Sequence, residues 1–122
     1  MTKVLMLDHS EFAKDTAISI YRRLKQEIPS IEMRLEEEYM PERISPDYDC
    51  YLLHLSSTDV DRIEELRRQN PLALIIGMSG QCTVEPEMPE LLTELLDAYT
   101  ERTASERNLD RLVGLISSRV SL

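Results

Sequence analysis

Three short apolar runs constrain this chain most: Val4–Leu7, Cys50–Leu55 and Leu72–Met78. Each is too short for a buried helix and lacks the apolar–polar alternation of a strand with one wet face. A run of that kind is a strand covered on both sides, as in a parallel sheet.

The segments between the runs repeat at helical spacing. Ala13, Ala17, Ile20, Leu24 and Ile28 fall on one helix face, with Ser10 as its N-cap and Pro29 closing it. Val60, Ile63 and Leu66 mark a second helix, capped by Ser57 or Thr58 and ending before Pro71. Leu91, Leu92, Leu95 and Leu96 suit the buried side of a short helix that follows the loop over residues 81–89. Ser105 then caps a last helix with Leu109, Leu112, Val113, Ile116 and Val120 on one face. Two further strands are predicted. Ile31, Met33 and Leu35 alternate with Glu32 and Arg34, the pattern of a half-exposed edge strand, and Ala98-Tyr99-Thr100 forms a brief fifth. Pro41 and Pro46 leave room for at most a short helix near residues 39–44.

Strands alternating with helices imply one α/β domain over residues 1–122, a parallel sheet with helices on both faces. Five strands in this length fit the flavodoxin-like winding, order 2-1-3-4-5, whose sites form at the carboxyl ends of the strands. Asp8-His9, His54-Leu55, Ser79-Gly80 and Thr100-Glu101-Arg102 all fall at those ends.

Charge narrows the partners. The chain has 23 acidic and 14 basic residues, a net charge of -9. Nucleic acid and anionic membrane surfaces both need clustered Lys and Arg, so neither is expected as a partner. Cys50 and Cys82 have no metal-type spacing, and Cys50 sits in an apolar run as a buried thiol would. With no apolar stretch of signal-peptide or membrane-span length, a reduced cytoplasmic protein is expected.

Over nearly its whole length the chain resembles the receiver domains of bacterial two-component response regulators. Val4-Leu5-Met6-Leu7-Asp8-His9-Ser10 is similar to the family's first strand, which ends in paired acids that hold Mg²⁺. Asp49-Cys50-Tyr51-Leu52-Leu53-His54-Leu55 is similar to the strand carrying the phospho-accepting aspartate. Leu74-Ile75-Ile76-Gly77-Met78-Ser79-Gly80 ends in a hydroxyl residue, where the family has its Ser or Thr switch. Asp97-Ala98-Tyr99-Thr100-Glu101-Arg102 is similar to the segment with the switch aromatic and the lysine. Carried over position by position, the resemblance puts Asp8 on the first acid, His9 on the second, His54 on the phospho-acceptor, Ser79 on the switch hydroxyl and Tyr99 on the switch aromatic. Arg102 stands in the lysine's place and Thr103 in that of the usual proline.

The missing groups matter chemically. An acyl phosphate needs a carboxylate nucleophile, and Mg²⁺ needs a hard oxygen cage. Imidazole suits zinc, copper or nickel instead, and a planar guanidinium is no neutral replacement for lysine. Loss of aspartyl phosphorylation is therefore expected, as in a degenerate, or pseudo-, receiver. Three readings of His54 follow. It fills the vacated pocket and hydrogen-bonds Asp8, it serves as a pH switch beside that carboxylate, or it joins Asp8 and His9 as a metal ligand.

The functions expected from this are three. The first is a phosphorylation-independent signal-transduction module, non-enzymatic and without a cofactor. It would act on a protein partner, or as a homodimer, through the fourth helix, fifth strand and last helix. Glu94, Asp97, Glu101, Arg102, Arg107, Asp110 and Arg111 are the exposed candidates on that face. The second is a metal- or pH-sensing domain using Asp8, His9 and His54. The third is a small ligand-binding or enzymatic flavodoxin-like protein, although only three glycines and the Asp8-His9-Ser10-Glu11-Phe12 turn give no phosphate-cradling loop.

Overall fold

In the structure, a computed structural model, residues 2–8, 13–36, 47–54, 60–79, 94–101 and 106–120 are described. The strands are β1 (Thr2–Leu7), β2 (Ile31–Glu36), β3 (Cys50–His54), β4 (Leu74–Ser79) and β5 (Ala98–Glu101). The helices are α1 (Ala13–Glu27), α2 (Val60–Gln69) and α3 (Glu106–Val120). All neighbouring strands pair in parallel, in the order β2-β1-β3-β4-β5. This is the expected winding, and it includes the fifth strand.

Burial follows the sequence pattern strand by strand. All five residues of β3 are buried, and β1 is buried except at Lys3. Because strand side chains alternate between faces, the two runs supply two cores. Val4, Met6, Cys50, Leu52, Ile76 and Met78 pack under α1 and α3 with Ala17, Ile20, Leu24, Leu112, Val113 and Ile116. Leu5, Leu7, Tyr51, Leu53 and Ile75 pack on the other face with Ile63 and Leu66 of α2. Each fully buried aliphatic among these contributes about 1.5–3 kcal/mol relative to exposure. On β2 only Ile31 is buried, while Met33 and Leu35 are partly covered and Glu32 and Arg34 are exposed, as an edge strand requires.

α1 buries Ala13, Thr16, Ala17, Ile20 and Leu24, one stripe at helical spacing. It ends where Ile28 N–H donates to the Leu24 carbonyl and Ile31 N–H to the Ile28 carbonyl, a tight turn into β2. The expected caps Ser10, Ser57, Thr58 and Ser105, and the segment of residues 39–44, lie outside the described residues. Leu96 is buried and Leu95 partly so, while Leu91 and Leu92 also fall outside.

The fourth strand starts later than the apolar run suggests. Leu72 is 79% exposed and belongs to the turn after α2. Ala73 N–H donates to the Asn70 carbonyl there, and only from Leu74, whose N–H donates to the Asp49 carbonyl, does the chain join the ladder. Pro71 has no N–H to give and helps fix that turn.

The amino ends of the strands are tied by two aspartates that precede strands. Asp49 Oδ2 accepts the Lys3 N–H at 2.8 Å, and Asp97 Oδ2 accepts the Ile75 N–H at 2.8 Å. Among the described residues, no helix is long and apolar enough to cross a membrane.

Candidate functional site

The carboxyl ends of β1, β3, β4 and β5 place one row of side chains beside another. The ladders pair Leu7 with Leu53, His54 with Met78, and Met78 with Thr100. Continued one step past Leu7, the first ladder sets Asp8 beside His54. Asp8, His54, Met78 and Thr100 thus follow one another across four strands, and Met78 shows which side of the sheet they face, that of α1 and α3.

Asp8 is 1% exposed and His54 7%. His54 Nδ1 lies 3.3 Å from Asp8 Oδ1. With Asp8 ionised, its carboxylate only accepts and the proton in this contact sits on Nδ1, with Nε2 as the ring's second position for a partner. Asp8 is held from behind as well, because its N–H donates to the Glu36 carbonyl and extends the β1–β2 ladder. The pair is a buried imidazole–carboxylate contact on two adjacent strands.

Thr100 is the member of the row that the sequence placed at a strand end but gave no role. It is 3% exposed, and its Oγ1 is buried with no hydrogen-bond partner among the described residues. A threonine at an inward strand position is the signal that could have shown it. Ser79 ends β4 and pairs with Glu101 in the ladder. Tyr99, half-buried, pairs with Gly77, and its carbonyl accepts from Arg111 Nη2 at 3.0 Å. His9 and Arg102 lie outside the described residues. Among the described residues no three His, Cys, Asp or Glu side chains gather as a metal-ligand group, and Asp8 with His54 supplies two donors.

The candidates on the β5–α3 face divide in two. Glu94 and Arg107 are exposed, and their side chains make no hydrogen bond or ion pair within the described residues. Asp97, Asp110 and Arg111 are engaged within the chain. Asp97 takes part in the strand tie above, Asp110 pairs with Arg23 of α1, and Arg111 donates to Tyr99. Glu101 is placed by its backbone in β5.

A residue outside every sequence expectation organises the opposite end. Arg67 of α2 donates through Nε and Nη2 to the Leu95 carbonyl (3.1 and 2.8 Å) and through Nη1 to those of Pro71 (3.3 Å) and Ala73 (2.9 Å). Its Nη2 also donates to Asp97 Oδ2 at 2.8 Å. Asp97 sits at the amino end of β5, away from the Asp8–His54 pair, and its carboxylate joins β4, α2 and the entry to β5.

Cys50 is a buried free thiol, as expected. Burial pushes its pKa far up, and the charges of Asp97 and Asp49 add to the shift. It is chemically inert in the native state.

The fold defines the class. The chain has the five-stranded fold of response regulator receiver domains, which it shares with many solved structures. The REC domain of AraT, a response regulator from Geobacillus stearothermophilus, is similar at TM-score 0.75 and 17% identity over 98% of this chain and 95% of that one. The signal receiver domain of a DNA-binding response regulator from Colwellia psychrerythraea is similar at TM-score 0.74 and 13% identity over all of both chains. An orphan response regulator of H. pylori is similar at TM-score 0.69 and 17% identity over 98% and 96%. No family model matches the sequence, and no curated protein does. The likeness is therefore one of architecture.

Proposed function

We infer that this chain is a phosphorylation-independent signalling module that works through contacts with other proteins. The observation that carries the reading is the Asp8–His54 pair. At the end of β3, where the resemblance implies an aspartate nucleophile, stands an imidazole turned to the neighbouring carboxylate. An imidazole there cannot form an acyl phosphate, and it is a poor ligand for the Mg²⁺ that receiver phosphorylation needs. The fold supports a role in signal transduction, and the orphan regulator among the similar structures is in keeping with an atypical one. Such a module would work in the cytoplasm.

Incubation with acetyl phosphate and Mg²⁺, followed by intact mass, tests the first half of this reading. No phosphate-sized gain is expected, and a gain would overturn it. The second half concerns the β5–α3 face. Charge reversal at Glu94 and Arg107 perturbs no contact within the described residues, so it probes the surface alone. It is expected to change self-association or partner capture. Unchanged sedimentation together with an unchanged set of captured proteins would exclude this face.

A second reading, a pH-sensing domain, rests on the same pair, because an imidazole ordinarily titrates near neutrality. A partner affinity that changes between about pH 5 and pH 8 and loses that change in His54→Gln would favour it.

A further inference from the structure

The sheet ends on β2, and no described residue pairs with the outer side of that strand. The Glu36 carbonyl faces β1, where it accepts the Asp8 N–H. Main-chain groups alternate sides along a strand, so those of Glu32 and Arg34 face β1 as well, and those of Ile31, Met33 and Leu35 point outward. The Ile28 carbonyl takes the Ile31 N–H. The Ile31 carbonyl and both groups of Met33 and Leu35 have no partner among the described residues. A cleft of about 620 Å³ wraps this edge, with Tyr21 and Lys25 on its α1 side and Lys3, Glu32, Arg34 and Tyr48 on the other. A strand laid along the edge fills space on both sides at once.

The side chains of the edge select its mate. On the α1 side, Met33 and Leu35 line an apolar groove of about 310 Å³ with Ala17, Ile18 and Tyr21, and Ile18 is 48% exposed there. On the other side Glu32 and Arg34 are exposed. Such charges ordinarily keep an edge from pairing. One partner turns them to attraction. A second copy of β2, antiparallel and centred on Met33, sets Glu32 opposite the partner's Arg34 and Arg34 opposite the partner's Glu32. Arg34 pairs with Glu36 through one nitrogen and has further N–H groups to give. Lys3, beside Glu32 in the β1–β2 ladder, continues the alternation of charge. Other registers lose this match. Centring on Arg34 sets arginine against arginine and Glu32 against the partner's Glu36, and centring on Glu32 sets glutamate against glutamate. A slip by one residue puts Met33 against a charged side chain.

We propose that two copies of this chain pair through β2, antiparallel about a two-fold axis at Met33, and so join their sheets into one. Each Met33 N–H donates to the carbonyl of the partner's Met33, and each Leu35 N–H to the carbonyl of the partner's Ile31. The apolar grooves of the two copies meet across the axis, which covers Ile18. The axis closes the assembly at two copies, because each chain has a single β2 edge and uses it. An interface of one short strand belongs with small, transient contacts, so the affinity is micromolar in scale. The β5–α3 face lies at the far edge of the sheet and stays free, and the proposal does not rest on it.

The test is sedimentation equilibrium of the full chain at about 0.15 M salt, with amide hydrogen exchange recorded at low and high protein concentration. The wild type is expected to form a dimer with Kd below about 100 μM. Exchange at the Met33 and Leu35 amides should slow as the concentration rises. Glu32→Arg and Arg34→Glu each set like charges against one another in the homodimer. Each should weaken it at least about tenfold with unchanged circular dichroism. Mixed one to one, the two variants again oppose unlike charges at every position, and dimers should return to within about threefold of the wild-type affinity. A wild type that stays monomeric at roughly 1 mM would overturn the proposal and leave the edge to a strand from another protein. A dimer indifferent to both substitutions, or a mixture as weak as the variants alone, would overturn it equally. Neither acetyl phosphate nor charge reversal at Glu94 and Arg107 touches this edge, so the two readings stand or fall separately.

Discussion

His54 Nδ1 lies 3.3 Å from Asp8 Oδ1, and both side chains are almost wholly buried at the ends of adjacent strands. The contact solves a specific problem. A carboxylate at 1% exposure needs donors, and the neighbouring strand supplies one. His54→Leu removes that donor and leaves the charge inside, which should lower stability by about 2–4 kcal/mol in urea unfolding at pH 7. Asp8→Asn should cost less, because a neutral amide needs less compensation. The double variant should be more stable than the sum of the two losses predicts, by about 1 kcal/mol or more. Additive losses would mean that the two groups are energetically independent and that His54 does not serve Asp8.

Arg67 and Asp97 form the other long-range tie. The exposed part of their ion pair adds little, but the same guanidinium also donates to three backbone carbonyls. Arg67→Ala should therefore cost about 2–3 kcal/mol, far above an ordinary surface change. Arg67→Lys retains the charge without the fork and should recover less than half of that loss. Full recovery by lysine in chemical denaturation would show that charge, not fork geometry, matters. A consequence for the interaction face follows. Reversing Asp97 removes the acceptor of the Ile75 N–H, so a changed partner profile in that variant reports a damaged strand entry as readily as a lost surface contact.

These ties explain which parts of the molecule were legible in its sequence. Val4–Leu7 and the β3 run announce themselves because burial on both faces needs unbroken apolar residues. β2 does so because an edge strand alternates. The same logic placed Leu72 in a strand, and it failed because hydrophobicity does not say where a ladder begins. The Leu74 N–H bond to Asp49 settles that, and it joins residues far apart in the chain. Arg67 reads as one more charge on an amphipathic helix, and two of its partners, Leu95 and Asp97, lie 28 and 30 residues away. Asp8 and His54 were paired in advance only because the receiver resemblance aligns both at strand ends. Thr100 was placed at a strand end in the same way but, lacking a motif, was given no role.

Gly114 offers a stabilising change. It sits in the middle of α3, exposed, and a Cβ built on it meets no atom within 4 Å. Its φ is not positive, so no left-handed conformation requires glycine here. Its carbonyl accepts the Ser118 hydroxyl, a bond that alanine leaves intact. Gly114→Ala should therefore raise stability by about 0.5–1 kcal/mol through helix propensity alone. A loss in thermal or urea unfolding would mean that α3 tolerates no side chain at this point, as expected only if another surface packs there.

The thiol of Cys50 gives the chain an alkaline limit. Burial, with added repulsion from Asp97 and Asp49, raises its pKa above the ordinary 9.0. A thiol raised in the folded state retains its proton while the unfolded chain gives its own up. The associated stability is complete below pH 9 and is lost as the pH climbs from there toward the folded value. Between pH 9 and 10 the wild type should lose up to about 1.4 kcal/mol per pH unit more than Cys50→Ala, measured by urea midpoints under reducing conditions. Above pH 10, Tyr51 adds to the fall in both proteins, since burial raises its phenol from 10.0 as well. The alanine variant starts from a lower stability, because it leaves a small void beside Leu52, but its pH profile should be flatter between those limits. Parallel profiles would show that the thiol ionises equally in the folded and unfolded chains, and that solvent reaches β3 in the native state.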